Sequence, residues 1–416
     1  MPSHALRFVH SSDLHLERPP YGLAEIPEHL RDLLLDAPYL AAQRVFDTVL
    51  AEEADLLILA GDVVQPEHSG PRGPRFLVEQ FQRLAERGIG VYWAGGSVDP
   101  PDVWPAWATL PESVHWFPRG RVEEFVYQRG ATPVARLIGA SRDRNRPVHA
   151  DAFVPDATGL FSIGIIHGAA DGHLLRGQGL NYWALGGRHG RSTLFSGPQT
   201  GHYAGSHQGR QPEEHGPHGC TLVELDEQGA VKLTHVATDA IRFMSERIGI
   251  EPGASRDDLE GMLRDRMVTL REASPERPLL VSWTVVGSGP LAAALRRGEL
   301  AAELLGRLRA DYGTAAWSVS LELEPPDDLP VEWYEQQTVL GEYLRDLRHY
   351  EINPSEPIEL AGYLGPEEAT PLGEAVALAD GRLRQRVLRE AALLGVDLLS
   401  SDDRLETCPT RGEVPQ

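Results

Sequence analysis

Asp55-Leu56-Leu57-Ile58-Leu59-Ala60-Gly61-Asp62 is a continuous apolar run closed by a glycine and a carboxylate. It does not alternate, so it reads as a strand buried on both faces, as in a parallel sheet covered by helices. On its N-terminal side, residues 39–54 have helical spacing, with Leu40, Val45, Val49 and Leu50 on one side. On its C-terminal side, residues 76–87 read as a helix and residues 89–94 as another strand. Residues 6–10 form a short apolar run that ends in Ser11-Ser12-Asp13. This βαβαβ rhythm predicts a parallel sheet, and such sheets bind ligands beyond the carboxyl ends of their strands. Asp13, Asp62 and the loop 95–99 all fall at such ends.

From residue 114 the helical pattern thins. Short apolar runs at 114–117, 134–140, 161–167, 182–187, 220–225 and 231–237 predict a second sheet, mostly antiparallel, stacked on the first. Residues 196–219 are rich in Gly, Pro and His without periodicity and read as a long loop. A new α+β unit starts near residue 241. In it, 255–273 and 290–312 read as helices, and 279–285 and 317–323 as alternating strands. The remainder is mainly helical, with apolar faces at Val339, Leu340, Tyr343, Leu344 and Leu347 and at Leu383, Val387, Leu388, Ala391 and Leu394. The expected domains are therefore 1–240, 241–330 and a helical, partner-binding region 331–416.

The chain has 416 residues, of which 41% are hydrophobic, enough for sizeable cores. No apolar run approaches the length of a membrane span, and the N-terminus has no signal-peptide pattern. Two cysteines, Cys220 and Cys408, do not make a disulfide framework, so a cytoplasmic setting is expected. The net charge of −22 excludes a surface that coats nucleic acid as a whole, though not a local site. Histidine is uneven: all but His349 of the 16 lie before residue 241. Imidazole chemistry therefore belongs to the first domain.

Four stretches place metal-ligating side chains at strand ends: Asp13-Leu14-His15, Gly61-Asp62, Ile166-His167-Gly168, and Leu185-Gly186-Gly187-Arg188-His189. Carboxylate with neutral imidazole suits Mn²⁺, Zn²⁺ or Fe²⁺ better than Ca²⁺ or Mg²⁺. A carboxylate such as Asp62 can bridge two ions about 3.5–4 Å apart, the spacing that activates water and clamps a phosphoryl group.

The order D-x-H, G-D, H-G and A-L-G-x-x-H resembles that of the calcineurin-like metallophosphoesterase superfamily, most of all its SbcD- and YhaO-type DNA repair exonuclease subunits. The opening Phe8-Val9-His10-Ser11-Ser12-Asp13-Leu14-His15-Leu16 is similar, as are Tyr182-Trp183-Ala184-Leu185-Gly186 and Gly216-Pro217-His218-Gly219-Cys220. The likeness covers about residues 5–350. It implies an α/β fold: a four-layer αββα sandwich, then a small α+β capping domain and C-terminal helices. It also implies manganese and an SbcC-like coiled-coil ATPase partner, with DNA ends as substrate. A homodimer is a further expectation.

Carried over residue by residue, Asp13, His15, Asp62 and His189 match the ligands of the first metal. Asp62 and His167 match two ligands of the second. The family's Asn ligand is Ser97 here, the following catalytic His is Val98, and the first His of G-H-x-H is Gly187. One metal site is thus intact and the other half dismantled, so reduced turnover is expected. The alternative is a catalytically inactive scaffold that binds DNA ends or the ATPase, and a small-molecule phosphatase is a third reading. Arg188, and the basic run Arg142, Arg144 and Arg146, are the candidate phosphate contacts. His10 is a candidate support for the ligands. His202, His207, His215 and His218 read as loop composition.

Overall fold

The computed structural model describes residues 6–354, 356, 358 and 381–399, except 147, 155–158, 227, 252, 325–328 and 330. The strands of its first 240 residues are β1 (Leu6–Ser11), β2 (Leu56–Leu59), β3 (Gly90–Ala94), β4 (Val114–Phe117), β5 (Glu123–Arg129), β6 (Thr132–Gly139), β7 (Phe161–His167), β8 (Tyr182–Gly186), β9 (Ser192–Phe195), β10 (Thr200–Tyr203), β11 (Gly219–Leu225) and β12 (Val231–Ala237). They form two six-stranded sheets, ordered β12-β11-β1-β2-β3-β4 and β5-β6-β7-β8-β10-β9.

The first sheet is parallel through β1, β2, β3 and β4, as the run at 55–62 predicts. Apolar residues on both faces explain why. Leu57, Leu59, Val91 and Trp93 pack under the helices Glu28–Ala51 and Arg72–Ala85, through Val45, Phe46, Leu77 and Phe81. Leu56, Ile58 and Ala94 face Leu137, Ile163, Ile165 and Ala184 of the second sheet. Each buried side chain of this size contributes roughly 1.5–3 kcal/mol. On the outer face of the second sheet, Leu175 of the short helix Gly172–Gly177 packs with Phe153, Trp183 and Tyr203. The result is a mixed α/β sandwich.

Four expectations change here. The second sheet is parallel at its centre, through β6, β7, β8 and β10, and antiparallel only at its outer pairs. Short apolar runs look alike in either sense, so the sequence does not separate them. The runs at 114–117, 220–225 and 231–237 join the first sheet. The stretch 196–219 is not an open loop: it contains β10, and residues 200–210 are all buried. Its glycines and histidines form an aperiodic but packed segment. The first helix also starts earlier than expected, because Pro38 lies inside it rather than before it.

Beyond residue 240, β13 (Arg242–Ile250), β14 (Leu279–Gly287) and β15 (Ala316–Glu324) form a three-stranded sheet in that order. The stretch expected as one helix over 290–312 is two, Pro290–Arg296 and Glu299–Tyr312, parted where Gly298 turns to φ +90°. By compactness the chain divides into Met1–Ser245 with Arg271–Ser282 and Tyr312–Val319, and Glu246–Leu270 with Trp283–Asp311 and Ser320–Gln416. In the latter, Leu344 of the helix Val339–Ile352 packs with Ala392 and Val396 of the helix Gly381–Leu399. Leu394, expected on that apolar face, is 56% exposed. Part of the expected partner-binding region, and Cys408, lie outside the described residues; Cys220 is a buried free thiol. Among the described residues no helix is long and apolar enough to cross a membrane.

Candidate metal centre

β1, β2, β7 and β8 end side by side, and each delivers a ligand position. Asp13 follows β1, Asp62 follows β2, His167 closes β7, and His189 follows β8. The backbone beyond β1 and β2 is tied together: Asp13 N donates to Gly61 O at 2.9 Å, and His15 N to Asp62 O at 3.0 Å. Asp13, His15 and Asp62 all adopt left-handed backbone, at φ 54°, 42° and 52°. Only one other described non-glycine residue, Glu53, does so. This conformation costs on the order of 1–3 kcal/mol per residue and persists where the surroundings enforce it, typically at functional sites.

The side chains form two overlapping groups. Asp13, His15 and His189 place ligand atoms within 4.8 Å of one another, and so do Asp13, Asp62 and His167. Asp13 therefore belongs to both. Asp62 Oδ2 lies 3.7 Å from His15 Nε2 and 3.4 Å from His167 Nε2, so it too stands between them. Asp13, His15 and Asp62 are buried, and the His167 side chain is only 2% exposed.

This donor set fits a divalent ion. His167 Nδ1 is 2.9 Å from Ala60 O; donating there leaves Nε2 as the atom facing Asp62. His15 Nδ1 is buried without a hydrogen-bond partner, 3.5 Å from Glu17 Oε1. His189 Nδ1 lies 2.7 Å from Glu214 Oε1, which orients the ring in the same way. Its Nε2 is 2.8 Å from Arg210 Nη2, so an ion there would take that lone pair from the guanidinium. The charges respond to one another. Burial opposes the His167 imidazolium, but the Asp62 and Asp13 carboxylates outweigh it and hold its pKa at about 9. Burial likewise raises Asp62, yet His167 and His15 hold that carboxyl well below its usual range.

The positions where the resemblance expects further ligands form a backbone cradle. Ser97 N and Val98 N both donate to Asp62 Oδ1, at 2.5 and 3.1 Å. Gly187 N donates to both oxygens of Asp13, at 3.2 and 3.0 Å. Asp99 organises the loop: it accepts from the amides of Asp62, Val63 and Gly96 and from Trp93 Nε1, over 2.7–3.0 Å. Burial, then the Asp62 charge, push its carboxyl up to about 7. Gly96 has no alternative here, since a Cβ would stand 2.3 Å from Asp62 Oδ1.

Of the candidate phosphate contacts, Arg142 donates to Ser97 Oγ at 2.5 Å. Arg188 lies over the Tyr203 ring, 4.5 Å from its centroid. Arg144 and Arg146 are exposed. His10 is not beside the ligands: it is buried 3.0 Å from Tyr182 Oη, between the sheets. His202 bonds Thr193 and Thr221, His207 bonds Pro38 O, and His218 bonds Ser206. These three are packed residues, not loop decoration. Arg210 and Glu214 escaped the sequence reading, because no spacing ties them to the ligands; Glu17 and Asp99 lie beside His15 and Ser97 in sequence, but what they support shows only in the structure.

Residues 243–324 match the family described as the middle domain of metallophosphoesterase YhaO. Over 302 residues, 68% of this chain and 72% of the relative, the sequence is 27% identical to an uncharacterized metallophosphoesterase YhaO of Bacillus subtilis (strain 168). A crystal structure of a dimetal phosphatase from Danio rerio superposes with a TM-score of 0.35 at 9% identity, covering 56% of this chain and 99% of that one. Vacuolar protein sorting 29 from Cryptosporidium parvum gives 0.26 at 18%, covering 56% and 98%. The chain is thus similar in sequence to metallophosphoesterases, and the ligand-bearing strand ends agree with that likeness.

Proposed function

We propose that the chain is a manganese-dependent phosphodiesterase subunit of SbcD type, acting on DNA ends in repair with reduced turnover. The observation that carries it is the convergence of Asp13, His15, Asp62, His167 and His189 on two overlapping groups held by left-handed backbone. A bound divalent ion supplies Lewis acidity at the phosphoryl group and an activated water. The chain's own residues do the rest. Asp13 and Asp62 set the negative charge between the groups, Glu214 and Ala60 O orient the imidazoles, and the cradle at 96–98 fixes Asp62. Val98 cannot give a proton to a leaving group, a loss worth about 10²–10⁴-fold in rate. An SbcC-like ATPase, taken by the C-terminal helices, is the proposed partner, and the cytoplasm the proposed location.

The test is Mn²⁺-dependent hydrolysis of bis(p-nitrophenyl) phosphate and of linear duplex DNA by wild type and Asp13→Ala. Slow turnover that disappears in the variant supports the proposal; an equal background in both overturns it. The second reading is an inactive scaffold that binds DNA ends or the ATPase. The glycine at 187, which offers no side-chain ligand, and the valine at 98, which offers no proton, favour it. DNA-end binding that survives Asp13→Ala without any turnover would decide for it.

A further inference from the structure

The Asp62 side of the centre has lost two imidazoles and an amide relative to the family pattern, and one arginine from outside the motifs reaches the vacated loop. The backbone that carries it is clamped to that loop. Arg142 N donates to Gly95 O at 2.8 Å, Gly95 N donates to Ser141 Oγ at 2.8 Å, and Ser141 Oγ donates to Phe117 O at 2.5 Å. The guanidinium then bonds Ser97 Oγ, and Ser97 N in turn bonds Asp62 Oδ1. The cation thus stands one residue from a carboxylate of the Asp13–Asp62–His167 group. That bond is its only side-chain hydrogen bond among the described residues, and Arg142 is exposed. Its guanidinium is therefore open to solvent while tethered to the loop that holds Asp62.

Arg144 and Arg146 make no hydrogen bond to the 95–99 loop, and Arg188 is stacked on Tyr203. We propose that Arg142 binds a non-bridging phosphoryl oxygen of the substrate on the Asp62–His167 side, in place of the ligands absent at Ser97, Val98 and Gly187. This rests on the phosphoesterase reading for its substrate class, but not on turnover. The physical ground is that a guanidinium is always charged and presents a planar fork that matches phosphate oxygens. It can hold charge where a second ion is weakly ligated, but it cannot activate water. Arg142 is therefore a binding residue that leaves the chemistry to the Asp13–His15–His189 side.

The test is calorimetric titration of inorganic phosphate into the full chain, once in EDTA and once with one equivalent of Mn²⁺. Arg142→Ala should weaken phosphate binding roughly tenfold or more in both conditions, the loss of a charge-assisted hydrogen bond. Arg142→Lys should recover part of it. Ser97→Ala should cost less, about threefold, because the guanidinium loses only its tether. Arg144→Ala should change the constant by less than about twofold. Mn²⁺ affinity, measured separately, should stay within about threefold in every variant, since none of these residues ligates an ion. Phosphate affinity unchanged in Arg142→Ala, an equal loss in Arg144→Ala, or no phosphate binding by wild type would each overturn the proposal. Phosphate binding that depends on Arg142 without any DNA hydrolysis would uphold it while defeating the proposed function. Hydrolysis lost in Asp13→Ala with phosphate binding indifferent to Arg142 would do the reverse.

Discussion

The two halves of the centre share Asp13 and sit at the ends of neighbouring strands, but they are finished differently. Around His15 and His189 the support comes from side chains: Glu17 beside one ring, Glu214 on the other, Arg210 against it. Around Asp62 the support comes from backbone: amides of Ser97 and Val98 on one carboxylate oxygen, held by Asp99 behind them. Side-chain support orients the imidazoles, with ligand atoms of Asp13, His15 and His189 within 4.8 Å of one another. Amide support fixes a carboxylate but occupies some of its acceptor sites. On the proposed reading, the first half holds an ion tightly, and the second holds a negative charge that a loosely bound ion or a guanidinium answers.

The strongest way to break this contrast is to remove Asp99. Asp99→Ala strips the acceptor from three amides and an indole, all buried. It should destabilise the fold by about 3 kcal/mol or more, since each buried donor left unpaired costs roughly 1–3 kcal/mol. Urea denaturation checks this; a loss below about 1 kcal/mol would mean the cradle is not organised by Asp99. Glu214→Gln attacks the other half. With the orienting carboxylate gone, Mn²⁺ affinity should fall by roughly 10–100-fold at unchanged stoichiometry. An unaltered affinity would show that His189 needs no orientation.

Gly187→His sharpens the contrast, because it is the obvious repair of the family pattern and the structure argues against it. Gly187 sits at φ +94°, and a Cβ there would stand 3.0 Å from Gly168 N. The substitution should cost about 1–2 kcal/mol and add no second tightly bound ion. A rise to two ions per chain on metal analysis would refute this. The smallest effect concerns pH and lies outside the centre, in the buried histidines between the sheets. Burial, then Arg191, lowers His202 to about 3. A depressed imidazole pKa means the unfolded chain takes up the proton first. Stability is then complete above about pH 6.5 and falls by up to ~1.4 kcal/mol per pH unit below it. His202→Gln should flatten the melting temperature between pH 7 and 5; an unchanged slope would place the acid sensitivity elsewhere.

The ligand positions were legible because each ends an apolar run, and a strand that stops at a polar residue exposes that residue at the sheet's edge. The runs at 55–60 and 161–167 become β2 and β7, and Asp62 and His167 follow from that alone. The support around them was not legible. Glu214 lies 25 residues from His189, and Arg142 45 residues from Ser97, with no periodic signal to join them. The packing of 200–210 was missed for a related reason. His202 and His207 there bond Thr193, Thr221 and Pro38 O, partners that composition does not encode.

The sequence by itself determined the parallel core of the first sheet, the order of the ligand-bearing ends and the absence of imidazole at 98 and 187. These follow from local apolar continuity and residue identity. Only the tertiary structure decided that Asp13 serves both groups, that three ligand residues sit in left-handed backbone, and that an arginine from another segment reaches Ser97. Those facts depend on which strand ends lie side by side, and on backbone angles that neighbouring segments impose against local preference.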